Sequence, residues 1–139
     1  KEKYKEKVKV RLEFCPVKLP GMHIDLLVIM DKKWIPIELK YKTKKYESEI
    51  LYQDGIKELF KLKEHGAINL NSYRYLKDIE RIEKVKEKEP TLFQEGYTVF
   101  ITNDLGYREK PREGCMYEMF SLHDRKKEEI IENLDKCLK

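Results

Sequence analysis

The chain has 139 residues, of which 40% are charged, but 30 basic and 26 acidic side chains leave a net charge of only +4. That length favours one domain, and the low net charge with a normal apolar content excludes a disordered chain. No apolar run approaches the roughly 18 residues of a membrane span, and no signal-peptide pattern is present. Cys15, Cys115 and Cys137 lack paired Cys or His motifs, which is typical of reduced thiols. We therefore expect a cytoplasmic protein without a membrane partner.

The first third of the chain predicts strands. Residues 1–9 are rich in Lys and Glu and are interpreted as the remnant of an N-terminal helix or as a disordered lead-in. Alternating apolar and polar residues predict a strand over 8–14, and apolar runs predict strands over 24–30 and 34–41. Because only the polar loop Asp31-Lys32-Lys33 separates the last two runs, they are predicted to form a hairpin.

Helical spacing follows the predicted hairpin. The apolar residues between 50 and 62 predict one helix, although Gly55 weakens its middle. From Leu70 to Val85 an apolar residue recurs at every third position, which predicts a second, longer helix with a single apolar stripe. Both helices are expected to pack on the sheet.

The remainder of the chain predicts two more strands and a last helix. Residues 96–102 form the clearer strand pattern, and 116–122 form a weaker one. Asp124 is expected to cap a final helix. The whole of 1–139 is therefore predicted to be a single α/β domain, in which a strand meander is followed by helices and a returning strand.

Three charged residues interrupt the apolar second and third strands: Asp25, Glu38 and Lys40. Burying a charge is costly unless it is paired or binds a metal. Glu38 and Lys40 are two residues apart, so they leave the same face of a strand. If the hairpin loop has two residues, Asp25 lies opposite Glu38, about 4.5–5.5 Å away at Cβ. Two such carboxylates could share a divalent ion, with the backbone carbonyl of Leu39 as a further ligand.

This segment resembles the PD-(D/E)xK nuclease superfamily, which has the restriction-endonuclease-like fold. The matching residues are Asp25, a spacer of twelve residues, and Glu38-Leu39-Lys40. The later blocks 62–67, 73–83 and 96–104 resemble a little-characterised prokaryotic branch. The resemblance implies an α/β fold with a central mixed β-sheet flanked by helices, and a Mg²⁺- or Mn²⁺-dependent nuclease that hydrolyses phosphodiester bonds. It implies that Asp25 and Glu38 hold the metal and that Lys40 orients or activates water.

Two features depart from the family pattern. The Pro that often precedes the Asp is Ile24 here. Many members also carry an acidic residue on a helix before the first strand. In this chain the candidates for that residue are Glu2, Glu6 and Glu13, and all three are poor. A missing acidic ligand would favour an inactive nucleic-acid-binding module of the same fold. A non-enzymatic scaffold or partner protein is the other alternative.

Several basic residues are candidates for binding nucleic acid, with DNA favoured over RNA. Lys42 and Lys44 follow the motif strand, and Arg74 lies on the long predicted helix, where Asp78 and Arg81 could line the same cleft. For the two lysines, the alternative is a solvated Lys run. For the helix residues, it is ion pairing along the helix. For the charged residues on the strands, it is a cross-strand salt bridge. The sequence leaves a homodimer open.

Overall fold

The computed structural model describes residues 8–123 and divides the chain into two compact units. The first unit contains 8–40 and Arg74–Phe100, and the second contains Tyr41–Tyr73 and 101–123. Each unit is thus assembled from two separated segments of the chain. The single domain over 1–139 stays a prediction.

Six strands and one α-helix are present within residues 8–123, which makes the fold mixed α/β. The elements are β1 (Val8–Phe14), β2 (Ile24–Met30), β3 (Lys33–Tyr41), β4 (Tyr46–Leu51), β5 (Lys57–Leu62), α1 (Ile68–Lys88) and β6 (Tyr97–Ile101). One sheet has the order β1-β2-β3-β6, and β4 and β5 form a second sheet. The β1–β2 and β2–β3 pairs are antiparallel, whereas the bridge between Trp34 and Phe93 is parallel, so the larger sheet is mixed.

The predicted β2–β3 hairpin is confirmed, and its loop has two residues, which is the condition under which the sequence places Asp25 opposite Glu38. Asp31 and Lys32 both have positive φ angles, 48° and 66°. A two-residue turn with positive φ at both positions has a twist that matches its flanking strands, and it fixes the pairing register. Met30 accordingly pairs with Lys33, and the register continues without a bulge to Leu26 and Ile37. The strand over 24–30 is confirmed, and β3 begins one residue before its predicted start.

The helix predicted between residues 50 and 62 is wrong, because this stretch forms the β4–β5 hairpin. Gly55 has a φ of 82°, which an α-helix does not accommodate, and its N–H donates to the carbonyl of Tyr52. The carbonyl of Ile56 in turn accepts from the Tyr52 N–H, which closes the turn. Leu59 and Phe60 therefore lie on a strand instead of a helix, and Leu59 is 52% exposed. Their predicted packing from a helix onto the sheet is wrong for the same reason.

The long helix is confirmed as α1. Its apolar stripe is buried at Leu76, Ile82 and Val85, because residues three and four apart share one side of a helix. Pro90 follows the last helical residue by two positions and has no N–H to continue the helix. Leu70, at the start of the stripe, is exposed.

The strand predicted over 96–102 is confirmed as β6, whereas the strand predicted over 116–122 is wrong. Residues Met116–Phe120 form a 3₁₀ helix, in which side chains three apart lie on one side. The rings of Tyr117 and Phe120 pack edge to face with their centroids 5.5 Å apart, and Phe120 packs in the same way on the ring of Tyr73. This aromatic cluster favours the tight helix over an extended strand.

Some sequence predictions fall outside the described residues. The prediction of a helix capped by Asp124 concerns residues 124–139, and most of the predicted lead-in concerns residues 1–7. Cys15 and Cys115 are free thiols, as predicted, and Cys137 lies outside the description. Within residues 8–123, α1 is too polar to cross a membrane.

Candidate functional site

The strand register brings Asp25 and Glu38 together. The β2–β3 pairs run from Met30–Lys33 to Leu26–Ile37, and Asp25 and Glu38 are the residues that follow the last pair on their strands. The charge of Asp25 acts on the Glu38 carboxyl group, and Oδ2 of Asp25 accepts from the N–H of Leu39, the residue after Glu38, at 2.7 Å. The two acidic side chains therefore lie on one face of the sheet, as the sequence predicted.

Helix α1 supplies two more charged residues to this face. Asp78 and Arg81 are three residues apart and share one side of the helix. Oδ2 of Asp78 lies 2.7 Å from Nζ of Lys40, and Arg81 Nη2 lies 3.2 Å from Oε1 of Glu38. Arg81 Nη1 is 3.6 Å from Oδ1 of Asp78. The result is a cluster of three carboxyl groups and two cations, which we call the charged cluster: Asp25, Glu38, Lys40, Asp78 and Arg81.

Glu38 is the most buried member of the charged cluster, with 2% of its surface exposed. Burial raises the pKa of Glu38 from 4.5 to about 8, since water no longer stabilises the carboxylate. The Arg81 guanidinium lowers this pKa, and the charges of Asp25 and Asp78 raise it further. Of the buried side-chain atoms in residues 8–123, Oε1 of Glu38 is the one that has no hydrogen-bond partner. Its contact with Arg81 is an ion pair without hydrogen-bond geometry.

Whether a metal ion fits the charged cluster depends on which oxygen atoms could bind it. Residues 8–123 contain no group of three or more acidic, His or Cys side chains already arranged around a common point. The Asp25–Glu38 pair nevertheless has adjacent carboxyl oxygens, one of them buried and unsatisfied. Mg²⁺ prefers oxygen ligands and keeps several waters, so it is bound through only one or two protein carboxylates in many sites. The pair therefore fits such an ion. Leu39 meets the pair through its N–H, and a ligand role for its carbonyl stays a prediction.

The predicted nucleic-acid-binding residues are divided between the two units. Arg74 is exposed on α1 in the first unit. Lys42 and Lys44 belong to the second unit, where the N–H of Lys42 donates to the carbonyl of Ile101. The N–H of Lys44 donates to the Asn103 side chain at 2.8 Å. Phosphate binding by these three residues stays a prediction.

Lys44 also lines a cavity of about 960 Å³ within the second unit. The charged residues around this cavity have both signs: Lys44, Lys110 and Arg112 against Glu64, Asp104 and Glu109. Since the charges balance, the cavity does not concentrate positive charge as a phosphate site does.

The sequence named Asp78 and Arg81 as cleft candidates, but it did not identify their partners. Ion pairing along the helix is the alternative that the sequence offers for these residues, and the structure pairs Asp78 with Arg81 on the helix and with Lys40 on β3. The spacing of three residues predicts the Asp78–Arg81 contact. No local signal identifies Lys40 as the partner, since it lies on a strand 38 positions earlier in the chain.

No family model, curated protein or solved structure matches this chain. The functional argument therefore depends on the geometry and chemistry of the charged cluster.

Proposed function

We propose that this chain is a Mg²⁺- or Mn²⁺-dependent nuclease of restriction-endonuclease-like fold that hydrolyses phosphodiester bonds, with DNA favoured as the substrate. One observation carries the proposal: Glu38 is buried beside Asp25 with one carboxyl oxygen unsatisfied, on the face that Lys40 shares. Nearly all buried polar groups make a hydrogen bond, and lacking one costs about 1–3 kcal/mol, of which the Arg81 guanidinium 3.2 Å away offsets a part. Retaining this cost at a pair of carboxyl groups favours a cation-binding function.

Each member of the proposed site has a role that follows from its position. Asp25 and Glu38 would hold the ion, and the N–H of Leu39 keeps the Asp25 carboxylate oriented toward Glu38. When bound, the ion would stabilise charge on the phosphate and lower the pKa of a water molecule. The Lys40 ammonium would bind the attacking water or a phosphate oxygen. Asp78 holds that ammonium at 2.7 Å, which reduces the number of positions it can sample.

An inactive nucleic-acid-binding module of the same fold is the second candidate. The observation that favours it is the Lys40–Asp78 ion pair, which already neutralises the ammonium proposed to act on water. In that case the charged cluster would contact phosphates without turnover. The two candidates differ in whether metal-dependent cleavage occurs, so one assay separates them.

The test is single-turnover cleavage of single- and double-stranded DNA and RNA, with Mg²⁺, Mn²⁺ or a chelator, beside a binding titration. Wild-type protein should cleave only with metal. Replacing Lys40 by Met keeps most of the stem and removes the ammonium, so Lys40→Met should reduce cleavage by about 10²–10⁴-fold. Binding should weaken only slightly, because a single phosphate contact is lost.

Lys61→Met is the matched control, since Lys61 is an exposed residue of β5 whose ion pair with Glu47 contributes little. This variant should cleave as the wild type does. Cleavage by Lys40→Met at the wild-type rate would rule out the proposed role of Lys40. Wild-type protein that binds nucleic acid but cleaves none of the substrates with either ion would favour the binding module.

A further inference from the structure

We infer that Arg81 is an internal cation that competes with the divalent ion for Glu38 and so sets the metal affinity of the site. This inference depends on the proposed function, because it concerns the same carboxyl pair. In the metal-free protein the guanidinium lies 3.2 Å from the oxygen that would otherwise be an unpaired buried ligand. Metal binding at Glu38 would then require Arg81 to withdraw.

The contact between Arg81 and Glu38 is suited to being exchanged. Arg81 Nη2 approaches Oε1 of Glu38 without making a hydrogen bond to it, so no directional bond has to be broken when the two separate. The Arg81 side chain is 32% exposed, in contrast to 2% for Glu38. The guanidinium can therefore move toward solvent, where its charge is hydrated, without any rearrangement of the sheet.

Arg81 also has a second partner that would remain after it leaves Glu38. Its Nη1 atom lies 3.6 Å from Oδ1 of Asp78, one turn earlier on the same helix. The other oxygen of Asp78 holds Lys40 at 2.7 Å. Asp78 thus contacts both cations of the charged cluster and would keep Arg81 near the site when an ion binds.

The charges explain why Arg81 should oppose metal binding. An arginine side chain stays protonated in proteins, so its positive charge is present at every ordinary pH. A divalent ion bound to Glu38 would be repelled by this charge across a few ångströms of partly buried space, where screening is weaker than in water. A purely structural Arg81–Glu38 ion pair predicts instead that loss of Arg81 lowers stability without strengthening metal binding.

The test is titration calorimetry with Mn²⁺ alone, on wild-type protein and on three variants. Arg81→Met removes the charge and keeps most of the stem, and it should bind Mn²⁺ roughly tenfold more tightly. Arg81→Lys keeps the charge and should stay within about threefold of the wild type. Lys86→Met removes an exposed cation near the end of the same helix and should leave the affinity unchanged.

The outcomes separate this inference from the proposed function. If the wild type binds Mn²⁺ and Arg81→Met binds equally or more weakly, the role of Arg81 is overturned and the nuclease proposal stands. If neither the wild type nor Arg81→Met binds Mn²⁺, both are overturned. If Arg81→Met binds Mn²⁺ and the wild type does not, the result would support competition between Arg81 and the ion.

A second measurement avoids substitution, in case Arg81→Met does not fold. When wild-type protein is titrated with Mg²⁺ and followed by NMR, the chemical shift of the Arg81 side-chain Nε–H should change as Glu38 binds the ion. The corresponding signal of Arg112 serves as the internal control. An Arg81 signal that is unchanged once Mg²⁺ binding is saturated would overturn the inference.

Discussion

Glu38 is a carboxylic acid on a strand whose neighbours in sequence are apolar, and its 2% exposure removes it from water. In the unfolded chain its pKa is near 4.5, and burial raises the pKa in the folded protein to about 8. The folded state therefore holds a proton at pH values where the unfolded state has released it. By linkage, the free energy of unfolding should depend on pH in this window.

The direction of that dependence follows from the raised pKa of Glu38. The contribution to stability is fully present below pH 4.5 and is lost as the pH rises through about 8. We expect the free energy of unfolding of the wild type, in chelator, to fall by roughly 2–5 kcal/mol more between pH 5 and pH 8 than that of Glu38→Gln. Urea denaturation at the two pH values measures this difference.

Glu83→Gln is the control for this prediction, because Glu83 is exposed on α1. Its pH dependence should follow that of the wild type. If Glu38→Gln and the wild type lose the same stability between the two pH values, Glu38 is ionised in the folded protein and the cluster is an ordinary ion-pair network.

A second prediction at the residue scale concerns the metal. Asp25→Asn removes one negative charge and Glu38→Gln removes the carboxyl group that must become a carboxylate to bind the ion, both at nearly constant shape, so each should weaken Mn²⁺ binding by at least about tenfold. Calorimetry on the two variants and on Glu83→Gln measures the effect. Unchanged affinity in both site variants would mean that Asp25 and Glu38 form a structural pair only.

At the scale of the element, the segment that leads into β6 approaches α1 closely. A Cβ atom built on Gly96 would lie 2.3 Å from Cγ2 of Ile82 and 3.2 Å from the ring of Phe93. Ile82 is buried on the apolar stripe of α1, and its branched side chain has little freedom to move. The absence of a side chain at Gly96 is therefore what allows helix and strand to pack at this distance.

Gly96→Ala should accordingly lower the free energy of unfolding by about 1–3 kcal/mol, because the added methyl group overpacks the contact. Gly66→Ala is the matched control, since a Cβ there meets no atom within 4 Å and its φ is not positive. The control should be neutral or slightly stabilising. Equal stability of Gly96→Ala and the wild type in chemical denaturation would show that the helix and strand can separate without cost.

At the scale of the whole molecule, the two units differ in how their strands are covered. In the first unit β2 has a strand on each side, and its Ile24 and Leu27 are fully buried. Among the described residues of the second unit, β4 and β5 form a two-stranded sheet, and Leu51 is 66% exposed. A two-stranded sheet is marginally stable without further packing, so local opening should need less free energy there.

Native-state hydrogen exchange tests this difference. The hydrogen-bonded amides of β2 should exchange most slowly, with an opening free energy close to the free energy of global unfolding. Those of β4 and β5 should exchange through local opening, at least about tenfold faster. Equal protection of the two sets would show that the units unfold together.

The candidate site shows where sequence patterns suffice. The register that joins Asp25 to Glu38 follows from the loop Asp31-Lys32, because a two-residue turn sets which residues pair and alternation then sets the shared face. The pairing of Lys40 with Asp78 could not be obtained in this way. Several cations and carboxylates have suitable chemistry, and only the packing of α1 on the sheet selects among them.

By itself the sequence determined the elements whose burial follows one local period: the alternating strand β1, the β2–β3 hairpin, the stripe of α1 and β6. Only the tertiary structure decided the segments in which one apolar spacing fits two conformations. Between residues 50 and 62 the spacing suits a helix, but strand pairing and the turn at Gly55 give a hairpin. The physical reason is that periodicity records which side of a segment is buried, whereas the choice of partner depends on residues far along the chain.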